Sequence, residues 1–170
     1  MTAILQLSRE LGERPEVVPL PGIHLRHYRG HEDIAIWLEL RRRAFARQPL
    51  GVRDWSEADF EREFLQKHWW RAEAIWFAET QPALATPVAT VGTVTLALRG
   101  VGVGAKPVVH WLAVLPSYRR CGVGRLLMHT LEATAWDKGA RRIWLETHAR
   151  WAEACQLYAA LGYREADVAG

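Results

Sequence analysis

The sequence predicts one mixed α/β domain, α+β-like, with a central sheet flanked by helices. Three observations predict it. Short strand-like apolar segments are interleaved with four stretches of helical spacing, the last half of the chain alternates strand, helix, strand, helix, and 170 residues suit a single hydrophobic core. A chain of this length buries roughly 70% of the surface that its unfolded form exposes.

Residues 1–22 have weak periodicity and end in Pro19-Leu20-Pro21-Gly22, so they read as an N-terminal extension and the domain is expected over 23–170. Ile23 to Tyr28 alternates apolar and polar residues as a strand does. Ile34, Trp37, Leu38, Arg41 and Phe45 then fall at helical spacing, with Pro49 and Gly51 expected to end that helix. Ser56 and Asp59 form a capping box with Trp55 and Phe60 as its hydrophobic staple, opening a second helix expected to run to about His68.

Ala74 to Glu79 is a short aromatic strand, and Ala89 to Leu98 a longer one in which Gly92 marks a bulge. Glycines 100, 102 and 104 imitate a dinucleotide fingerprint, but a strand (Val108 to Val114) follows them rather than a helix. They read as a hairpin connection. Val123 to Thr134 carries one apolar stripe of a helix that Lys138-Gly139 ends, and Arg142 to Thr147 is the next strand. A last helix with Ala154, Leu157, Tyr158 and Leu161 on one face stops at Gly162, leaving room for one short strand.

Hydrophobic residues make up 49% and charged residues 24%, the composition of a soluble globular protein. The net charge of +3 is spread over many arginines, so no concentrated basic block indicates nucleic acid; Arg41-Arg42-Arg43 lies in a helical pattern and reads as a solvated face. The nine tryptophans read mainly as packing, Trp69 and Trp70 included. Cys121 and Cys155 form no disulfide framework and no metal-ligand spacing, and no apolar run reaches membrane-spanning length. The expectation is a cytoplasmic protein with no metal, no membrane and no nucleic-acid partner.

The run Val114-Leu115-Pro116-Ser117-Tyr118-Arg119-Arg120-Cys121-Gly122-Val123-Gly124-Arg125 leaves an apolar strand and enters an amphipathic helix. It reads as a pyrophosphate cradle. Two glycines spaced one apart let backbone N–H groups approach an anion, the helix directs its positive dipole end to the same point, and three arginines add charged donors.

That cradle, the element order and the ending Leu157-Tyr158-Ala159-Ala160-Leu161-Gly162-Tyr163 resemble the GNAT superfamily of acyl-CoA-dependent N-acyltransferases, over Ile23 to Tyr163. The resemblance implies a mixed twisted sheet with two splayed strands, acetyl-CoA as cofactor, and transfer of its acetyl group to a primary amine by direct attack in a ternary complex. It implies that Leu112, Ala113 and Val114 line the pantetheine arm, and that Arg119, Arg120, Cys121, Gly122, Val123, Gly124 and Arg125 hold the diphosphate. Tyr158 matches the general acid of many members. Glu146 occupies the position of the base in the ribosomal-protein alanine acetyltransferases, with His110 as a rival whose imidazole titrates near pH 6.5.

Two departures accompany the resemblance. Trp151 stands where many members have an asparagine that bonds the cofactor, and it donates but does not accept. The family also finishes with two further strands, for which this chain leaves only eight residues after Gly162. A very short last strand or a second subunit, as in a homodimer, is expected to cover that edge. The acceptor, a small molecule or a peptide amine, is not specified by the residues, and a non-catalytic CoA-binding or sensing module is the alternative reading.

Overall fold

A computed structural model describes residues 3–47, 53–83 and 86–167. Seven strands form one sheet in the order β2-β3-β4-β5-β6-β1-β7. They are β1 (Ile4–Glu10), β2 (Ile23–His27), β3 (Ile75–Thr80), β4 (Thr90–Arg99), β5 (Lys106–Val114), β6 (Arg142–His148) and β7 (Arg164–Glu165). The helices are α1 (Glu32–Phe45), α2 (Glu57–Phe60), α3 (Val123–Asp137) and α4 (Ala152–Ala160). A π-helical turn, Glu61–Leu65, continues α2.

Apolar side chains on both faces of β3 explain why helices cover both sides of the sheet. Ile75 and Phe77 join Ile34, Trp37, Phe60 and Phe64 in a core under α1 and α2, whereas Trp76 and Ala78 join Leu127, Leu131, Ile143 and Leu145 under α3. Trp55, Trp69, Trp70 and Trp111 pack against the first of these cores, which accounts for much of the tryptophan content. The capping box is present: the Asp59 amide donates to Ser56 Oγ at 3.3 Å, and the Ser56 amide donates to Asp59 Oδ2 at 2.8 Å. The expected helix end at Pro49 and Gly51 lies outside the described residues.

The N-terminal segment differs from expectation. Residues 4–10 form β1, which pairs antiparallel with the whole of β6, from Ile4↔His148 to Glu10↔Arg142, and carries β7 on its other side. The edge for which a very short last strand or a second subunit was expected is therefore covered within the chain, by β1 and the two-residue β7. β1 is fastened from below by α3, where the fully buried Glu132 accepts from Arg9 Nη1 at 2.6 Å and from Tyr163 Oη at 2.9 Å. Because β1 and β2 lie far apart in the sheet, the intervening segment must cross between them. Along it Arg14 pairs with Asp137 at the end of α3, and Leu20 packs behind Gly122.

Two irregularities shape the middle of the sheet. Ala78 faces Gly92 while Glu79 faces Thr90, so the register slips beside Gly92 as the sequence indicates. Thr93 faces Ala113 while Thr95 faces His110, which inserts an extra residue into β5; there Trp111 adopts φ +50°, a left-handed conformation rare for an aromatic residue.

Candidate functional site

β5 and β6 run parallel but are registered at one pair, Val108↔Trp144. Beyond that pair the strands part, and a cleft of about 940 Å³ opens between them. Its walls include Val109 to Val114 on β5, Glu146 and Thr147 on β6, Trp151, Leu157 and Tyr158 at and along α4, and Gly122, Gly124 and Arg125 at the entrance to α3. Apart from Cys121 and Val123, the residues singled out separately in the sequence line this one cavity.

At the entrance the backbone turns through two left-handed residues, Arg120 at φ +58° and Gly122 at φ +94°. The first bond inside α3 runs from the Leu126 amide to the Gly122 carbonyl, so the amides just before Leu126 precede the helical ladder. Such amides, with the helix dipole behind them, form an anion-binding concavity. Gly124 sits at a close approach: a Cβ there would lie 3.0 Å from Leu157 Cδ2, and a larger side chain would fill the gap between α3 and α4. Arg120, Cys121 and Arg125 are exposed at this rim, while Val123 turns its side chain into the core.

Arg119 is engaged within the protein. Its guanidinium, on the wall of the cleft, donates to the Val114 carbonyl (3.0 Å), the Ala44 carbonyl (2.6 Å) and Glu153 (3.0 Å), bracing the end of β5 against α1 and α4. Trp151 precedes α4 with its ring 5.4 Å from that of Phe45, and its Nε1 is buried without a partner among the described residues. A buried indole N–H facing a ligand cleft is a donor left for the ligand.

Tyr158 is buried on α4, and burial raises its phenol above the ordinary value, which keeps the proton on Oη at neutral pH. Glu146 is exposed at the closed end of the cleft and bonded to Gln6 and Arg99. His110 does not match the expectation for a base titrating near 6.5. Its ring packs against Phe64 (5.3 Å) and Trp69 (6.1 Å), Nε2 is buried without a partner, and burial pushes its pKa down to about 4.

Gln6, Arg99 and the Arg119 brace escaped the sequence reading. For Gln6 a signal existed, since Leu5-Gln6-Leu7-Ser8 alternates with period two; for the arginines none did, because a guanidinium's partner is set by which loops meet.

The residues present fit a CoA-type ligand: a loop of unladdered amides, a groove that a Cβ would narrow, and an orphaned indole donor. The comparisons agree on the fold. A GCN5-related N-acetyltransferase from Sphaerobacter thermophilus superposes with a TM-score of 0.70 at 21% identity, covering 97% of this chain and 49% of that one. The aminoglycoside N-acetyltransferase AAC(6')-Iy in complex with CoA gives 0.61 at 19% identity, covering 90% and 96%. The [ribosomal protein bS18]-alanine N-acetyltransferase of Escherichia coli (strain K12) is 40% identical over 57 residues, 34% of this chain and only 38% of that relative's length. The Acetyltransferase (GNAT) family profile matches residues 35–163, and the chain belongs to that family.

Proposed function

We propose that the chain transfers the acetyl group of acetyl-CoA to a primary amine by direct attack within a ternary complex. The splay of β5 from β6 beyond Val108↔Trp144 carries this reading, because it leaves a strand edge and a cleft that lead from an amide-lined loop to two groups suited to proton transfer. In this reading the amides around Gly122 and Gly124 hold the diphosphate, with Arg120 and Arg125 beside them. Leu112, Ala113 and Val114 flank the pantetheine arm, and Trp151 Nε1 donates to it.

The bound cofactor supplies a thioester carbonyl. Glu146 takes one proton from the acceptor's ammonium, whose freed nitrogen lone pair bonds to the carbonyl carbon. As the carbon–sulfur bond breaks, Tyr158 Oη gives its proton to the departing sulfur. The acylated nitrogen gives up its second proton, which the tyrosinate takes back, and Glu146 passes its own proton to water, so both groups return to their starting states with one proton released per turnover. His110, with its lowered basicity, acts in packing the Trp111 bulge rather than as the base.

For the acceptor, we infer the α-amine of a polypeptide rather than a polycation. The relative quoted above is named for an alanine amine on a ribosomal protein. Among the described residues six arginines line the cleft against two glutamates, Glu146 and Glu153, and both glutamates are engaged by arginine. A second ammonium on the acceptor would meet mostly positive charge.

Thiol release from acetyl-CoA with a peptide bearing a free N-terminal alanine, and with kanamycin for comparison, tests this. The peptide is expected to react and kanamycin to lag. Tyr158→Phe is expected to slow turnover about a hundredfold with CoA affinity unchanged, since a positioned acid contributes 10²- to 10⁴-fold. Wild-type turnover in that variant would remove Tyr158 from the reaction. CoA binding by calorimetry without thiol release from any amine would favour a non-catalytic CoA-binding module instead.

A further inference from the structure

Glu146 does not stand alone on β6. Its Oε1 accepts from Gln6 Nε2 at 2.7 Å and from Arg99 Nη2 at 2.8 Å. The three side chains come from three strands, β1, β4 and β6, which meet at the closed end of the cleft. Gln6 faces Glu146 directly in the β1–β6 register, and Arg99, opposite Lys106 at the end of β4, reaches over β5. Both bonds fall on the same carboxylate oxygen.

Exposed ion pairs such as this one, with Arg99 at 52% and Glu146 at 44% side-chain exposure, add little to stability. The arrangement therefore calls for a different account. A glutamate has three rotatable side-chain bonds, and an unrestrained carboxylate at a solvated strand end samples many orientations. Two donors from separate strands confine it through Oε1 and leave Oε2 outside both bonds.

We propose that Gln6 and Arg99 are positioning residues that fix Glu146 for proton abstraction, an inference that rests on the reading of Glu146 as the base. The N-terminal strand thereby does more than cover the edge of the sheet: it delivers one of the two donors that orient the reacting carboxylate. Arg99 has a second consequence. It lines the same cleft as Glu146, so in this reading the incoming ammonium meets a carboxylate already aligned.

The test uses the full chain with three single variants, Gln6→Ala, Arg99→Ala and Glu146→Gln, the two pairwise combinations with Glu146→Gln, and Arg99→Lys. Thiol release from acetyl-CoA is followed with the alanine peptide and, without an amine, as slow hydrolysis, where water takes the nucleophile's place. Calorimetry with CoA and thermal melting report on the groove and the fold.

Gln6→Ala and Arg99→Ala are expected to lower kcat roughly ten- to hundredfold, the range that a misplacement of about 1 Å costs, with CoA affinity and melting unchanged. Neither is expected to lower the rate further once Glu146 is glutamine, and Arg99→Lys is expected to recover part of the loss. Wild-type kcat in both single variants beside an inactive Glu146→Gln would overturn the clamp and leave Glu146 as the base. Wild-type kcat in Glu146→Gln would instead overturn the reading underneath. A higher KM for the peptide with kcat intact would make Arg99 an acceptor contact, and parallel losses of CoA affinity would make both residues parts of the sheet edge; either result overturns the proposal.

Discussion

Acidification of the protein isolates the cost of burying His110. The imidazole has Phe64 and Trp69 over it, and Glu63 and Glu146 favour its protonated form while Lys67 and Arg99 oppose it. Burial dominates these and brings the folded-state pKa to about 4, against an ordinary value of 6.5 in the unfolded chain. Below pH 6.5 the unfolded chain binds a proton at this residue that the folded chain refuses until the pH approaches 4. The stability associated with neutral His110 is thus complete above pH 6.5, falls as the pH drops through the window between 6.5 and 4, and falls no further below it.

At about 1.4 kcal/mol per pH unit, that window is worth about 3 kcal/mol. Domains of ordinary stability hold about 5–15 kcal/mol, so the effect is measurable. Urea unfolding followed by tryptophan fluorescence, from pH 7.5 to 4, gives the stability at each pH for the wild type and for His110→Phe, which keeps a ring in place but does not titrate. Carboxylates contribute to both curves and cancel in their difference. The wild type is expected to lose about 3 kcal/mol more than the variant over this range. Parallel curves would refute the argument, as would an NMR titration of the His110 ring with its midpoint near 6.5, a measurement that does not depend on the variant folding.

Gly124→Trp is expected to abolish CoA binding, because the new side chain enters a space where even an added Cβ would lie 3.0 Å from Leu157; calorimetry with CoA checks it, and retained heat would place the diphosphate elsewhere. Glu132→Ala removes the acceptor shared by Arg9 and Tyr163 and is expected to cost about 3 kcal/mol of stability in urea unfolding, as loss of one partner from a buried pair does. A loss below about 1 kcal/mol would mean that β1 is held by its strand pairing alone. With the Tyr158→Phe measurement, these cover the cofactor groove, the chemistry and the sheet edge separately.

The element order from Ile23 to Tyr163 was legible in the chain because each element there carries a local signal: alternation in β2, the Ser56–Asp59 capping box, helical stripes in α1 and α3, and glycine after α3 and α4. The diphosphate loop was legible for the same reason, since close backbone approach demands glycine whatever surrounds it. By itself, then, the sequence determined the family resemblance, the cofactor class and the position of Gly122, Gly124, Glu146 and Tyr158 along the chain. Only the tertiary structure decided that residues 4–10 pair with β6, that Arg119 braces the end of β5 against α1 and α4, that β5 bulges at Trp111, and that burial lowers the basicity of His110. Each of these depends on partners remote in sequence: a strand's neighbour, a guanidinium's acceptor and an imidazole's desolvation are set by which surfaces meet, and no local pattern records that meeting.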